Sequence, residues 1–86
     1  MSSETQHLGP VPPDLYARAA AAYYRSPHDP EDGAPMAHHS YMAEHDGRQY
    51  LVLANPRAFL AVYRIRTSGM LKKLRRWPKA IEDGRP

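Results

Sequence analysis

The sequence predicts an α+β fold, with one N-terminal helix packed on a four-stranded antiparallel meander and a short C-terminal helical turn. Three observations point there. Residues 13–25 place apolar side chains at helical spacing. Past residue 36 the apolar period falls to two, punctuated by Asp46-Gly47 and by Gly69 as hairpins are. And 86 residues without a cysteine must hold together on one small core, with no disulfide framework and no cysteine-held metal centre.

Residues 1–10, with Ser2, Ser3, Gly9 and Pro10, read as a disordered arm before a single domain over 11–83 and a tail at 84–86. Pro12, Pro13 and Asp14 suit a helix start, because proline fits the first turn and an acid complements the dipole there. Leu15, Ala19, Ala22 and Tyr23 then share one face, and Pro27 stops the helix at 25. Residues 26–35 hold three prolines, one glycine and three acids and form an acidic loop. Strands are expected over 36–44, 50–54 and 59–66, joined by Asp46-Gly47 and by a turn at Pro56-Arg57. Residues 70–77 fit a fourth strand better than a helix, whose positive N-terminal end would face Lys72 and Lys73. Pro78 opens the last helical turn.

With a two-residue turn at Pro56-Arg57 and a bulge at Gly69, Leu53 faces Leu60, Leu51 faces Val62, and Val62 faces Leu74. These five make the face that receives the helix. The opposite face takes Tyr50, Val52, Phe59, Ala61, Tyr63, Ile65, Leu71, Lys73, Arg75 and Trp77. A one-residue slip would exchange the two sets.

Charge is divided along the chain. Residues 1–46 carry seven acids and two arginines, whereas residues 47–81 carry nine basic residues and no acid. A block of this kind suits an anionic partner, and it suits equally a solvated basic face screened by the acidic half of the chain. Rings and cations on one open sheet face can bind single-stranded nucleic acid, the bases stacking on rings while cations follow the phosphates. The candidates are Tyr63, Arg64, Lys72, Lys73, Arg75, Arg76 and Trp77. The same aromatics can instead build a second small core, covered by the chain itself or by a second copy in a homodimer.

Other chemistry finds little support. His7, His28, His38, His39 and His45 lack a completing acid at metal-ligand spacing, and His38 and His39, adjacent on a strand, would point to opposite faces. Ser40 has no acid to complete a triad with His38, and the glycines stand alone in turns, so no phosphate-cradling loop exists. No catalytic residue, metal or cofactor is expected. Nothing approaches the run of about 18 apolar residues that spans a membrane, and no secretory signal opens the chain, so a cytoplasmic protein is expected.

Two resemblances bear on function. The segment YLVLANPRAFLAVYRIR is similar to the core hairpin of small metal-independent RNA-cleaving toxins, which implies catalysis by cations and a base on an antiparallel sheet. That family sets a helical hairpin before its sheet, and this chain has one helix. The stretch LAVYRIRTSGMLKKLRRWPKAIED, carried by Leu60, Ala61, Val62, Tyr63, Arg64, Gly69, Leu71, Leu74, Arg76, Trp77 and Pro78, resembles small actinobacterial proteins often found near mobile elements. That resemblance implies no established activity, so it assigns no residue a role. The sequence thus leads to a non-enzymatic nucleic-acid-binding accessory protein, with a protein–protein adaptor or regulatory homodimer meeting an acidic surface as the alternative, and a toxin-like ribonuclease as a third reading.

Overall fold

Helix α1 (Pro13–Arg25) forms where the spacing places it, with proline in its first turn, Asp14 at its start and Arg25 at its end. Ser26 ends it: its hydroxyl donates to the Tyr23 carbonyl at 2.9 Å and its backbone N–H turns back to Ala22 and Tyr23. The computed structural model describes residues 5–84. Beneath α1 lies one antiparallel sheet in the order β1 (Thr5–Gly9), β2 (Tyr41–His45), β3 (Arg48–Ala54), β4 (Phe59–Ile65) and β5 (Leu71–Lys73). The protein is therefore α+β, with five strands rather than the four expected.

The extra strand is β1, drawn from the stretch expected to be a disordered arm. It pairs Thr5 with His45 and His7 with Ala43. Its side chains are largely exposed, so backbone pairing rather than apolar burial recruits it. Thr5 Oγ1 and His45 Nδ1 lie 2.6 Å apart, and the His7 ring meets Tyr41 edge-on. The first four residues of the expected arm and residues 85 and 86 of the expected tail lie outside the described residues.

The strand expected over 36–44 starts only at Tyr41, because Ala37–His39 form a single 3-10 turn. His38 and His39 accordingly have neighbouring rings, 4.6 Å apart, instead of opposite faces. Asp46 and Gly47 both take positive φ, 56° and 78°, the geometry of a two-residue hairpin that matches strand twist. Gly69, at φ 87°, closes the second hairpin through N–H to Arg66 at 2.8 Å. In the acidic loop Pro30–Asp32 form another 3-10 turn, and the loop is tied down by buried Asn55, whose Nδ2 donates to the carbonyls of Asp32 and Ala34.

The register between β3 and β4 differs from expectation. Ala54 pairs with Phe59, as a short turn requires, but an irregularity follows and Leu53 pairs with Ala61, Val52 with Val62 and Leu51 with Tyr63. One extra residue in β4, Leu60, flips what comes after it. Ala61 and Tyr63 thereby join Leu51, Leu53 and Met42 beneath Ala19 and Tyr23 of α1, with Leu15 and Leu60 packed against this cluster. Val62 moves to the far face with Tyr41, Ala43, Tyr50 and Val52. The other hairpin keeps its expected register, since Leu74 N–H donates to Val62 at 2.9 Å. Strand β5 stops at Lys73, however, and the chain leaves the edge to bring Trp77 and Ile81 over the far face. The 3-10 segment Lys79–Gly84 completes that cover. Among the described residues no helix is long and apolar enough to cross a membrane.

Candidate nucleic-acid interface

The described residues cover the far face only in part. The Lys79–Gly84 segment lies over β1 and β2, with Ile81 fully buried and the Tyr41 hydroxyl donating to the Ile81 carbonyl at 2.7 Å. Trp77, Leu74 and Phe59 pack against the same buried cluster, Phe59 beside the turn at the end of the sheet opposite the Gly47 and Gly69 hairpin tips. The tip end of this face carries cations. Because β3 begins directly after Gly47, Arg48 is its first residue and pairs with His45, two positions from buried Tyr50 on the same face. Tyr50 pairs with Arg64, and Arg64 pairs with Lys72. Arg66 continues the alternation beyond Arg64 and donates its N–H to the Met70 carbonyl at 2.8 Å.

Arg48, Arg64, Arg66 and Lys72 are thus gathered from β3, β4 and β5 onto one end of one face. Between the two hairpin tips lies an open notch of about 480 Å³, with Arg48 and Glu44 on one wall and Arg64, Arg66 and Thr67 on the other. Among the described residues, no ion pair or side-chain hydrogen bond commits any of the four cationic heads. Like charges directly across a strand pair, as in Arg64 and Lys72, disfavour folding by repulsion. An anion held between them would relieve that repulsion.

The sequence-derived site residues divide accordingly. Arg64 and Lys72 come together as neighbours. Tyr63 leaves the site: the shift after Leu60 buries it beneath α1 at 2 % exposure, so it cannot stack on a base. Lys73 shares the α1 side with Tyr63 and reaches Ser26 Oγ at 3.2 Å. Trp77 sits on the opposite side, half-buried, its indole N–H donating to Glu82 Oε2 at 3.1 Å. The expected single face of Tyr63, Lys73, Arg75 and Trp77 therefore does not form. Arg75 and Arg76 are exposed in the irregular segment past β5, where strand alternation no longer assigns them a face. Arg48 and Arg66 were not singled out by sequence. The signal for Arg48 was its place directly after the Asp46-Gly47 turn, and for Arg66 its two-residue step from Arg64.

Burial, reinforced by neighbouring Tyr23 and partly opposed by Arg25, pushes the Tyr63 phenol above its ordinary range. Its hydroxyl is buried with no hydrogen-bond partner among the described residues. It stays protonated at neutral pH and belongs to the core. Ser40 is equally committed, its hydroxyl donating to the Met36 carbonyl at 2.9 Å and accepting from Ala54 N–H at 3.1 Å. Among the described residues no three His, Asp or Glu side chains converge as a metal site would require. No protein-family model matches the chain, and comparison with curated proteins and with solved structures finds no match.

Proposed function

We propose that the protein is a non-enzymatic accessory that binds nucleic acid, holding its phosphates with Arg48, Arg64, Arg66 and Lys72. The observation that carries this reading is the Arg64–Lys72 cross-strand pair, set beside two further arginines in a 35-residue stretch without an acid. Neighbouring strands lie about 4.8 Å apart, so cations on three of them cover roughly 10 Å, a few nucleotides of backbone. Arg is suited to the role because its planar fork meets phosphate oxygens two at a time. Tyr50 and Tyr63 are buried and Trp77 is committed to Glu82, so base stacking is not the source of affinity. Binding should therefore show little sequence preference.

The test is fluorescence anisotropy with a labelled twelve-nucleotide single strand, as DNA and as RNA, across a salt series. Four phosphate contacts on a single strand give a log–log slope of about −3. A flat response, or no binding at low salt, overturns the reading and leaves an acidic protein surface as the partner of the same cations. RNA recovered in shortened form would overturn the non-enzymatic part.

A further inference from the structure

The geometry points to the outer edge of β5, which no described strand pairs, as a docking site for an extended acidic peptide that would add to the sheet as a sixth strand beside α1. The groove beside this edge lies on the α1 side of β5; the site shares Lys72 with the four-cation cluster, and its strand pairing does not depend on the nucleic-acid reading.

The first ground is hydrogen-bond parity. In the β4–β5 ladder Arg66 N–H meets the Met70 carbonyl and Leu74 N–H meets the Val62 carbonyl. The intervening Arg64–Lys72 pair therefore faces inward, and Leu71 and Lys73, opposite Ile65 and Tyr63, direct their N–H and C=O groups away from β4. An outer strand finds two donors and two acceptors there, the template used in strand addition.

The second ground is the groove beside that edge. An open hollow of about 290 Å³ runs between α1 and β5, lined by Arg18, Ala21, Ala22, Arg25, Met70 and Leu71. Its floor is apolar, and Met70 is 62 % exposed at its rim. Arg18 reaches across the near end, donating to the Gly69 carbonyl at 3.0 Å, and Lys73 marks the far end at Ser26. No acid lines the hollow.

Charge decides the occupant. A second copy pairing antiparallel through β5 would set Lys72 against Lys72 or Lys73 against Lys73 in two of its three central registers, and in the third, Leu71 against Leu71, it would leave the two Lys72 diagonal to each other; like charges so placed are destabilising. An acidic strand instead gains from Arg18, Arg25, Lys72 and Lys73 together. The side chains of Lys72 and Lys73 alternate across the edge, so the complementary sequence carries two adjacent acidic residues, with an apolar residue next to them to meet Leu71. The other edge, β1, is a poorer template because its ladder shifts between His7 and Gly9.

The probe is a capped, labelled octapeptide of alternating valine and threonine with two adjacent glutamates at its centre. The full chain should bind it, and hydrogen exchange should slow at the Leu71 and Lys73 amides. Leu71→Pro removes an outward N–H while sparing the β4–β5 ladder, and proline is tolerated on an edge in that position. It should weaken binding about tenfold with circular dichroism unchanged. Should Leu71→Pro fail to fold, Lys73→Glu reads the same site through charge and should give a comparable loss, whereas Arg48→Gln should leave peptide affinity intact. Failure of the folded wild-type chain to bind the peptide overturns the proposal, as does binding that survives the edge variants, or protection at β1 in place of β5. A dimer in sedimentation that Leu71→Pro dissolves would overturn it in favour of a second copy. Displacement of the peptide by the twelve-nucleotide strand, with protection of the same two amides, would assign the edge to nucleic acid instead.

Discussion

The two faces of the sheet are covered by elements of unequal reach. Helix α1 has 13 residues, and at about 1.5 Å per residue it spans roughly 20 Å. Five strands at about 4.8 Å spacing make a sheet roughly 19 Å wide, so α1 is long enough to cross it. The 3-10 segment on the far face has six residues, and at about 2.0 Å per residue it spans roughly 12 Å. It closes over β1 and β2 and leaves the tip end of β3, β4 and β5 to Arg48, Arg64, Arg66 and Lys72. Leu51, Leu53 and Tyr63 pack with Tyr23 of the helix on the α1 side, while the far face buries Ala43, Val52 and Val62 with Tyr41, Tyr50 and Ile81. One face is given to stability, and the other divides between a small second core and a cationic margin that no described residue covers.

This comparison is broken most severely through the helix side. Leu51 and Leu53 are fully buried, and either one changed to Ala should cost about 2–5 kcal/mol, much of the stability of so small a domain. Urea unfolding should show the midpoint collapse, and an unchanged midpoint would mean that α1 does not close this face. The far face should yield less. Trp77→Ala should cost about 2–3 kcal/mol, because Trp77 is only half-buried although it packs on the second core and bonds Glu82. A loss in thermal unfolding equal to that of Leu51→Ala would deny the inequality of the faces.

Two hydroxyl deletions sharpen the contrast further. Tyr41→Phe removes a bond to the Ile81 carbonyl and should cost about 1–2 kcal/mol. Tyr63→Phe removes a buried hydroxyl that has no partner among the described residues, and should be neutral or stabilise by up to about 1 kcal/mol. Matching losses in the two variants would show that Tyr63 has a partner after all.

The smallest effect is an alkaline one. Burial, the largest cause at each, raises the phenols of Tyr16, Tyr23 and Tyr63 above their ordinary value of 10.0, and all three belong to the α1 side. Their contribution to stability is fully present below pH 10. It is lost as pH rises from there through the folded-state values, since the unfolded chain releases its phenolic protons first. Denaturant melts at pH 9 and pH 11 should show this loss, and Tyr63→Phe should reduce it.

Much of the helix side was legible in sequence because local chemistry decides it. The α1 boundaries follow from Pro13 and from Ser26-Pro27, and the hairpins at Gly47 and Gly69 follow from a backbone that only positive φ satisfies. β1 was hidden because TQHLG has no apolar alternation and is held by its ladder with β2. One residue separates the expected far-face site from the observed one. The irregularity at Leu53 and Ala54 is a tertiary choice that places Tyr63 under α1 and Val62 away from it, and no local pattern in FLAVYRI distinguishes the two registers. Arg64 and Lys72 survived the shift as a pair because the Gly69 hairpin fixes their register independently.

The central claim is that the uncovered tip end, and not the net charge of the chain, recognises phosphate. It is tested most directly by comparing two double variants of equal charge on the twelve-nucleotide strand. Arg64→Gln with Lys72→Gln removes the cross-strand pair, and Arg57→Gln with Lys79→Gln removes two exposed cations outside the cluster. The account predicts that the first weakens binding about tenfold or more at low salt and makes the log–log salt slope shallower by about 1.4, while the second changes affinity by no more than about twofold. Equal losses from the two variants would contradict it, since binding would then follow total charge with no organised face.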